Sequence, residues 1–93
     1  MKITYDAEKR RLTLEHRGID FEDAVQVFAG PEYTLLDDRT NYGETRFQTY
    51  GLLDGRLVQV VWTPRNKARH VISMRKCNDR EKARFGQQLD RSG

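Results

Sequence analysis

Between Pro64 and Arg84 the chain carries eight basic side chains, Arg65, Lys67, Arg69, Arg75, Lys76, Arg80, Lys82 and Arg84, against two acids, Asp79 and Glu81. Side chains of these types at this density can hold the oxygens of a polyanion. Arg does so through a planar donor fork that stays charged, and Lys as a compact point charge. Residues 1–55 are the reverse, with seven basic and eleven acidic side chains for a net of −4, whereas residues 56–93 carry a net of +7. A charge so polarised is the electrostatic outline of a surface that grips a polyanion, nucleic acid foremost. The bulk values of +3 and a pI near 9.2 would not by themselves separate that reading from an ordinary solvated surface.

Other chemistries are poorly provided for. Cys77 is the single cysteine, so no internal disulfide can form, and with only His16 and His70 beside it there is no zinc-ligand spacing. No metal and no cofactor are expected. Cys77 as a nucleophile would need a base and an orienting group, and neither is identifiable, so it reads as a small thiol at a strand-to-helix junction.

The elements that must position these groups follow from periodicity and punctuation. Lys2 to Tyr5 is β-prone, and Asp6 can cap a helix running on to Glu15 that Gly18 ends. Asp20 caps a second helix with Phe21, Ala24, Val25 and Phe28 on its apolar face. Gly30-Pro31 stops it, the glycine being suited to a left-handed C-terminal conformation.

Tyr33–Leu36, Thr45–Leu52, Arg56–Thr63 and Arg69–Arg75 then read as strands, with turns at Asp37-Asp38, Leu53-Asp54-Gly55 and Pro64 to Lys67. Asp54-Gly55 is a strong hairpin signal. Strict alternation along the last strand sets His70, Ile72 and Met74 against Arg69, Val71, Ser73 and Arg75, which would leave Ser73 and Arg75 on an open face. Asn78 to Glu81 reads as a capping box that opens a final helix, whose apolar contact is Phe85 and Leu89.

The result is an α+β fold in one domain, residues 1–93: a short N-terminal strand, two helices, an antiparallel sheet and a C-terminal helix. With 37% apolar residues and neither end long and apolar enough for a signal peptide or membrane span, a cytosolic (cytoplasmic) protein with no membrane partner is expected.

Particular residues in that order resemble the BrnT family of bacterial ribonuclease toxins. They are Asp6 and Lys9 opening the first helix, Gly18-Ile19-Asp20-Phe21 with Ala24 and Phe28, and Tyr42-Gly43-Glu44-Thr45-Arg46 before a strand that ends at Gly51. Trp62-Thr63-Pro64-Arg65 follows, then Ile72-Ser73-Met74-Arg75-Lys76 with Arg80-Glu81 and Phe85. The family often shows Lys-His-Gly where this chain has His16-Arg17-Gly18, and Tyr where it has Phe85. The resemblance implies a fold similar to the RelE-type toxins and cleavage of RNA without metal or cofactor. It also implies a BrnA-type antitoxin, a ribbon-helix-helix protein that blocks the toxin and carries it, as a heterotetramer, onto operator DNA.

Metal-free RNA cleavage needs a base for a 2′-hydroxyl, cations around the pentacoordinate phosphorus and a proton for the departing 5′-oxygen. On that reading Arg46, Arg65 and Arg75 are the phosphate cations, Glu44 is a candidate base and Ser73 a phosphate or water ligand. Lys9, Arg17, Arg69, Lys76 and Arg80 form the wider RNA-binding set. Against it, each arginine could serve only a surface ion pair with Asp37, Asp38 or Glu44, His70 reads as a packed structural histidine, and capping accounts for Glu81. Tyr42, Tyr50 and Trp62 could stack on a base or could simply be core. A non-catalytic nucleic-acid-binding module and a basic partner-binding module remain the alternatives.

Overall fold

The computed structural model describes residues 2–92, less the side chains at positions 88 and 90–92. Its elements run β1 (Ile3–Tyr5), α1 (Ala7–Arg17), a 3-10 turn (Phe21–Asp23) leading into α2 (Ala24–Ala29), β2 (Glu32–Leu36), β3 (Phe47–Leu53), β4 (Arg56–Arg65), β5 (Ala68–Lys76) and α3 (Asp79–Ser92). The five strands form one sheet in the order β1-β5-β4-β3-β2, so the fold is α+β. Three pairings are antiparallel, while β1 joins β5 in parallel, as Ile3 pairs with Arg69 and Tyr5 with Val71. No described helix is long and apolar enough to cross a membrane.

The caps behave as their residue types dictate. The Asp6 carboxylate accepts from the Lys9 N–H at 3.0 Å, and Gly18, at φ +67°, donates to the Leu14 carbonyl to close α1. Asp20 accepts from the Glu22 N–H at 3.0 Å. Asp54 and Gly55, at φ 51° and 78°, form the tight turn between β3 and β4.

The sheet separates two cores. On one face Val58, Val60, Trp62, Val71 and Met74 pack under Ile19, Phe21, Ala24, Val27 and Phe28. On the other, α3 lays Phe85 and Leu89 over Tyr50, Leu57 and Cys77. The Tyr50 and Phe85 rings stack with centroids 4.0 Å apart.

Four expectations are corrected. The second helix begins with a 3-10 turn, whose tighter winding shifts the buried stripe, so Val27 is buried and Val25 is exposed. Gly30 is extended at φ −100° rather than left-handed. The strand expected to break at Thr63 continues through Pro64 to Arg65, and the reversal is the two-residue turn Asn66-Lys67, with φ of 53° and 62°. Pro64 lies past the end of β3, on a stretch where β4 has become an edge and a proline is tolerated.

The fourth correction matters most for function. In the β4–β5 ladder Val61 pairs with Ser73 but Trp62 pairs with Val71, so Ile72 is an extra residue in a β-bulge. The bulge resets the alternation. Val71 and Met74 both face the α2 core, while His70, Ser73 and Arg75 share the opposite face, opposed on β4 by Thr63, Val61 and Gln59.

Candidate nucleic-acid interface and active site

The face that carries α3 also collects the three candidate phosphate cations and Ser73. Along β5 it presents His70, Ser73 and Arg75, and along β4 Arg65, Thr63, Val61 and Gln59. Arg46 immediately precedes β3 at the Arg65 end.

At that end a carboxylate ties two arginines together. Glu44 Oε2 accepts from Arg46 Nε at 3.1 Å and Oε1 accepts from Arg65 Nη2 at 3.3 Å. The hydrogen bond from Arg46, reinforced by Arg65, holds the Glu44 carboxyl below its ordinary range despite partial desolvation. Glu44 is therefore ionised and a weak proton acceptor near neutrality. It acts as a fixed counter-ion that spaces two guanidinium groups.

The segment that delivers Glu44 and Arg46 is organised by Asp37, a role not legible from its residue type alone. Asp37 is 4% exposed, and its carboxylate accepts from Arg39 Nε and Nη2, each at 2.8 Å, and from the Tyr42 hydroxyl at 3.4 Å. Its backbone N–H donates to the Arg46 carbonyl at 2.8 Å. The Arg46 guanidinium in turn lies 4.0 Å from the centroid of the Tyr42 ring. Buried Asp37 thus fixes residues 39 to 46 and with them the Arg46–Glu44–Arg65 cluster. Thr63 adds a tie through its hydroxyl, which donates to the Thr45 carbonyl at 2.6 Å.

At the other end of β5, Arg75 donates from Nη1 to Glu81 Oε1 at 2.8 Å and from Nη2 to Oε2 at 2.7 Å. Glu81 also completes the expected capping box, accepting from the Asn78 N–H at 3.0 Å while Asn78 Oδ1 accepts from the Glu81 N–H at 2.8 Å. Capping alone does not account for Glu81. Its carboxyl is driven down to about 2, chiefly by Arg75. Beside it, burial pushes the Cys77 thiol up to about 11, which leaves it a protonated, inert thiol. Between the two ends, Ser73 lines an open cleft with Leu12, Thr13, His16 and Arg17 of α1.

Several of the wider basic set are placed otherwise. Arg69 is on the α2 face, its guanidinium 4.5 Å from the Phe28 ring centroid and 4.3 Å from that of Trp62. Arg17 donates to the Met74 carbonyl at 2.9 Å and ties α1 to the edge of β5. Lys76 pairs with Val58 and lines a separate cleft with Asp23, Asp54 and Arg56. Lys9 and Arg80 are exposed near the starts of α1 and α3. Of the aromatics, Trp62 is core, donating Nε1–H to Thr49 Oγ1 at 2.8 Å, and Tyr50 accepts from Gln59 Nε2 at 2.9 Å. Neither ring is free to stack on a base.

One sheet face therefore offers three arginines, a serine and a histidine. A family model described as the ribonuclease toxin, BrnT, of type II toxin–antitoxin systems matches residues 5–81. The chain belongs to the BrnT family. No curated protein matches it. The family is one of ribonuclease toxins of type II toxin–antitoxin systems, and membership implies an antitoxin partner. The matched span of this BrnT-family chain contains the Asp37-ordered segment, the bulged β5 and the Arg75–Glu81 pair. It stops short of Phe85 and most of α3.

Proposed function

We propose that this BrnT-family chain is a metal-independent endoribonuclease that arrests translation and growth, acting on RNA laid across the α3-bearing sheet face. The observation that carries the reading is the Glu44 carboxylate shared between Arg46 and Arg65 on the face that also holds Ser73 and Arg75. Glu44 engages Nε of Arg46 and one Nη of Arg65, which leaves both guanidinium groups with N–H donors to spare for a phosphate.

In this reading Arg46 and Arg65 hold the non-bridging oxygens of the scissile phosphate and neutralise the charge that builds on them. Preorganised donors of this kind contribute about 10²–10³ in rate each. Arg75, displaced from Glu81, takes a neighbouring phosphate, and the Ser73 hydroxyl a phosphate oxygen or a water. Arg46 and Arg65, two cations held in place, supply the charge stabilisation that a metal would otherwise give. Glu44 is a positioning residue rather than the base, since Arg46 holds it ionised. Lys9 and Arg80 extend the electrostatic footprint, whereas Arg17, Arg69 and Lys76 are engaged elsewhere or lie on the other face.

The antitoxin, of the ribbon-helix-helix BrnA type and assembled as a heterotetramer on operator DNA, would neutralise the toxin by covering this basic surface. The net +7 of residues 56–93 favours an acidic or amphipathic partner segment. The test is induction of this chain with and without its antitoxin gene, alongside cleavage of single-stranded RNA by the purified protein. Growth arrest relieved by the antitoxin, with RNA fragments produced in excess EDTA, is the expected result. RNA that is bound in a salt-sensitive way but never cut would instead make the protein a binding module.

A further inference from the structure

The arginine cluster lacks a group that can take a proton near neutrality, and the bulge in β5 brings one to it. We propose that His70 is the general base of the ribonuclease site, accepting the 2′-hydroxyl proton on Nε2 while Thr4 fixes its ring through Nδ1. The inference rests on the ribonuclease reading and adds to it the proton acceptor that Glu44 cannot be.

Without the extra residue at Ile72, His70 would alternate with Met74 and point into the α2 core. With it, His70 lies opposite Thr63, on the face to which Arg65 also belongs two residues further along β4. Its Nδ1 is 2.8 Å from Thr4 Oγ1, on the neighbouring β1. If Nδ1 carries the hydrogen and donates to that hydroxyl, Nε2 holds the free lone pair a base requires. Among the described residues Nε2 has no hydrogen-bond partner, and none of their buried polar atoms lacks one, so Nε2 reaches solvent.

The surroundings select the neutral ring. His70 is half-buried, and burial is the first cause that lowers its pKa; Arg65 of β4 and Lys9 of α1 act in the same direction. Glu44 of the ordered segment and Asp6 at the cap of α1 oppose them without reversing the shift. The imidazole is therefore mostly unprotonated at neutral pH.

The step balances within the site and solvent. The proton of the 2′-hydroxyl passes to Nε2, O2′ attacks phosphorus and a P–O2′ bond forms. The P–O5′ bond then breaks, and O5′ takes a proton from a water, whose hydroxide recovers the proton held by the imidazolium. The products end in a 2′,3′-cyclic phosphate and a 5′-hydroxyl.

The experiment measures cleavage of single-stranded RNA across pH by the wild type, His70→Gln, His70→Ala with and without added imidazole, and Thr4→Val. The wild-type rate is expected to rise with pH to a plateau, with an inflection below the ordinary histidine range and fragments ending in cyclic phosphate. His70→Gln should lose about 10²–10⁴ in rate together with the inflection. Imidazole should restore part of the His70→Ala activity, and Thr4→Val should move the inflection with a smaller loss. The His70 ring titration, followed by NMR in the wild type, should coincide with the kinetic inflection, which keeps the test valid if a variant fails to fold. A wild type that cuts no RNA would overturn the ribonuclease reading and this inference with it. A wild type that cuts while His70→Gln keeps its rate, or whose inflection departs from the His70 titration, would overturn the role of His70 alone.

Discussion

Arg75 and Glu81 meet through two parallel hydrogen bonds of 2.8 and 2.7 Å, and the same Glu81 carboxylate closes the N-terminus of α3 by accepting from Asn78. A cation on the proposed RNA face is thereby held by the cap of the helix that covers part of that face.

The pair sets an acid sensitivity. The Glu81 carboxyl is depressed from its ordinary 4.5 to about 2, so its contribution to stability is complete above about 4.5 and is lost as the pH falls toward 2. Because Arg75 is 38% exposed, solvent screening holds that contribution to about 1 kcal/mol. Thermal midpoints of the wild type and Glu81→Gln should converge as the pH is lowered from 7 to 3. Curves that stay parallel would show that the ion pair does not stabilise the fold.

Asp37 is expected to matter for activity without touching RNA. Asp37→Asn keeps the volume but weakens the charged hydrogen bonds to Arg39, at a cost of about 1–2 kcal/mol. By loosening residues 39 to 46 it should lower the cleavage rate more than it lowers RNA affinity. A variant that unfolds no more easily and cuts at the wild-type rate would remove Asp37 from the account.

Gly51 is a packing constraint on the opposite face. A Cβ there would lie 2.7 Å from Val27 Cγ1 and 3.3 Å from the Pro31 carbonyl oxygen, so Gly51→Ala must turn the Val27 side chain out of its rotamer or shift α2 on the sheet. Overpacking of this kind costs about 1–3 kcal/mol, readable as a lower urea midpoint. An unchanged midpoint would mean that α2 is free to shift.

The Cys77 thiol, buried and pushed up to about 11, should resist a thiol reagent at pH 8 in the folded protein and react fully in denaturant. Rapid stoichiometric labelling of the native protein would contradict its burial under α3.

What was legible in the chain was mostly local. Asp6, Gly18, Asp20, Asp54-Gly55 and the Asn78–Glu81 box act within a few residues of themselves, and each has the structure its type implies. The bulge at Ile72 was not legible, because a one-residue skip is decided by pairing with β4 and not by the pattern within β5. For the same reason strict alternation put His70 with Met74. Arg69 has the same chemistry as Arg65, and only the fold puts it on Trp62 and leaves Arg65 on the proposed site. Asp37 reads as a turn residue in sequence, and its burial under Arg39 and Tyr42 arises from tertiary structure.

The central claim, that the Arg46–Glu44–Arg65 cluster cuts RNA without a metal, is tested most directly by single-turnover cleavage of single-stranded RNA in excess EDTA. The wild type is compared with Arg46→Ala plus Arg65→Ala, and with Lys82→Ala as a control on an exposed α3 charge. The wild type and Lys82→Ala should cut at matched rates, and the double variant should be slower by at least about 10³-fold while retaining its thermal midpoint to within a few degrees. Cleavage that vanishes on chelation, or a folded double variant that cuts at the wild-type rate, would contradict the account.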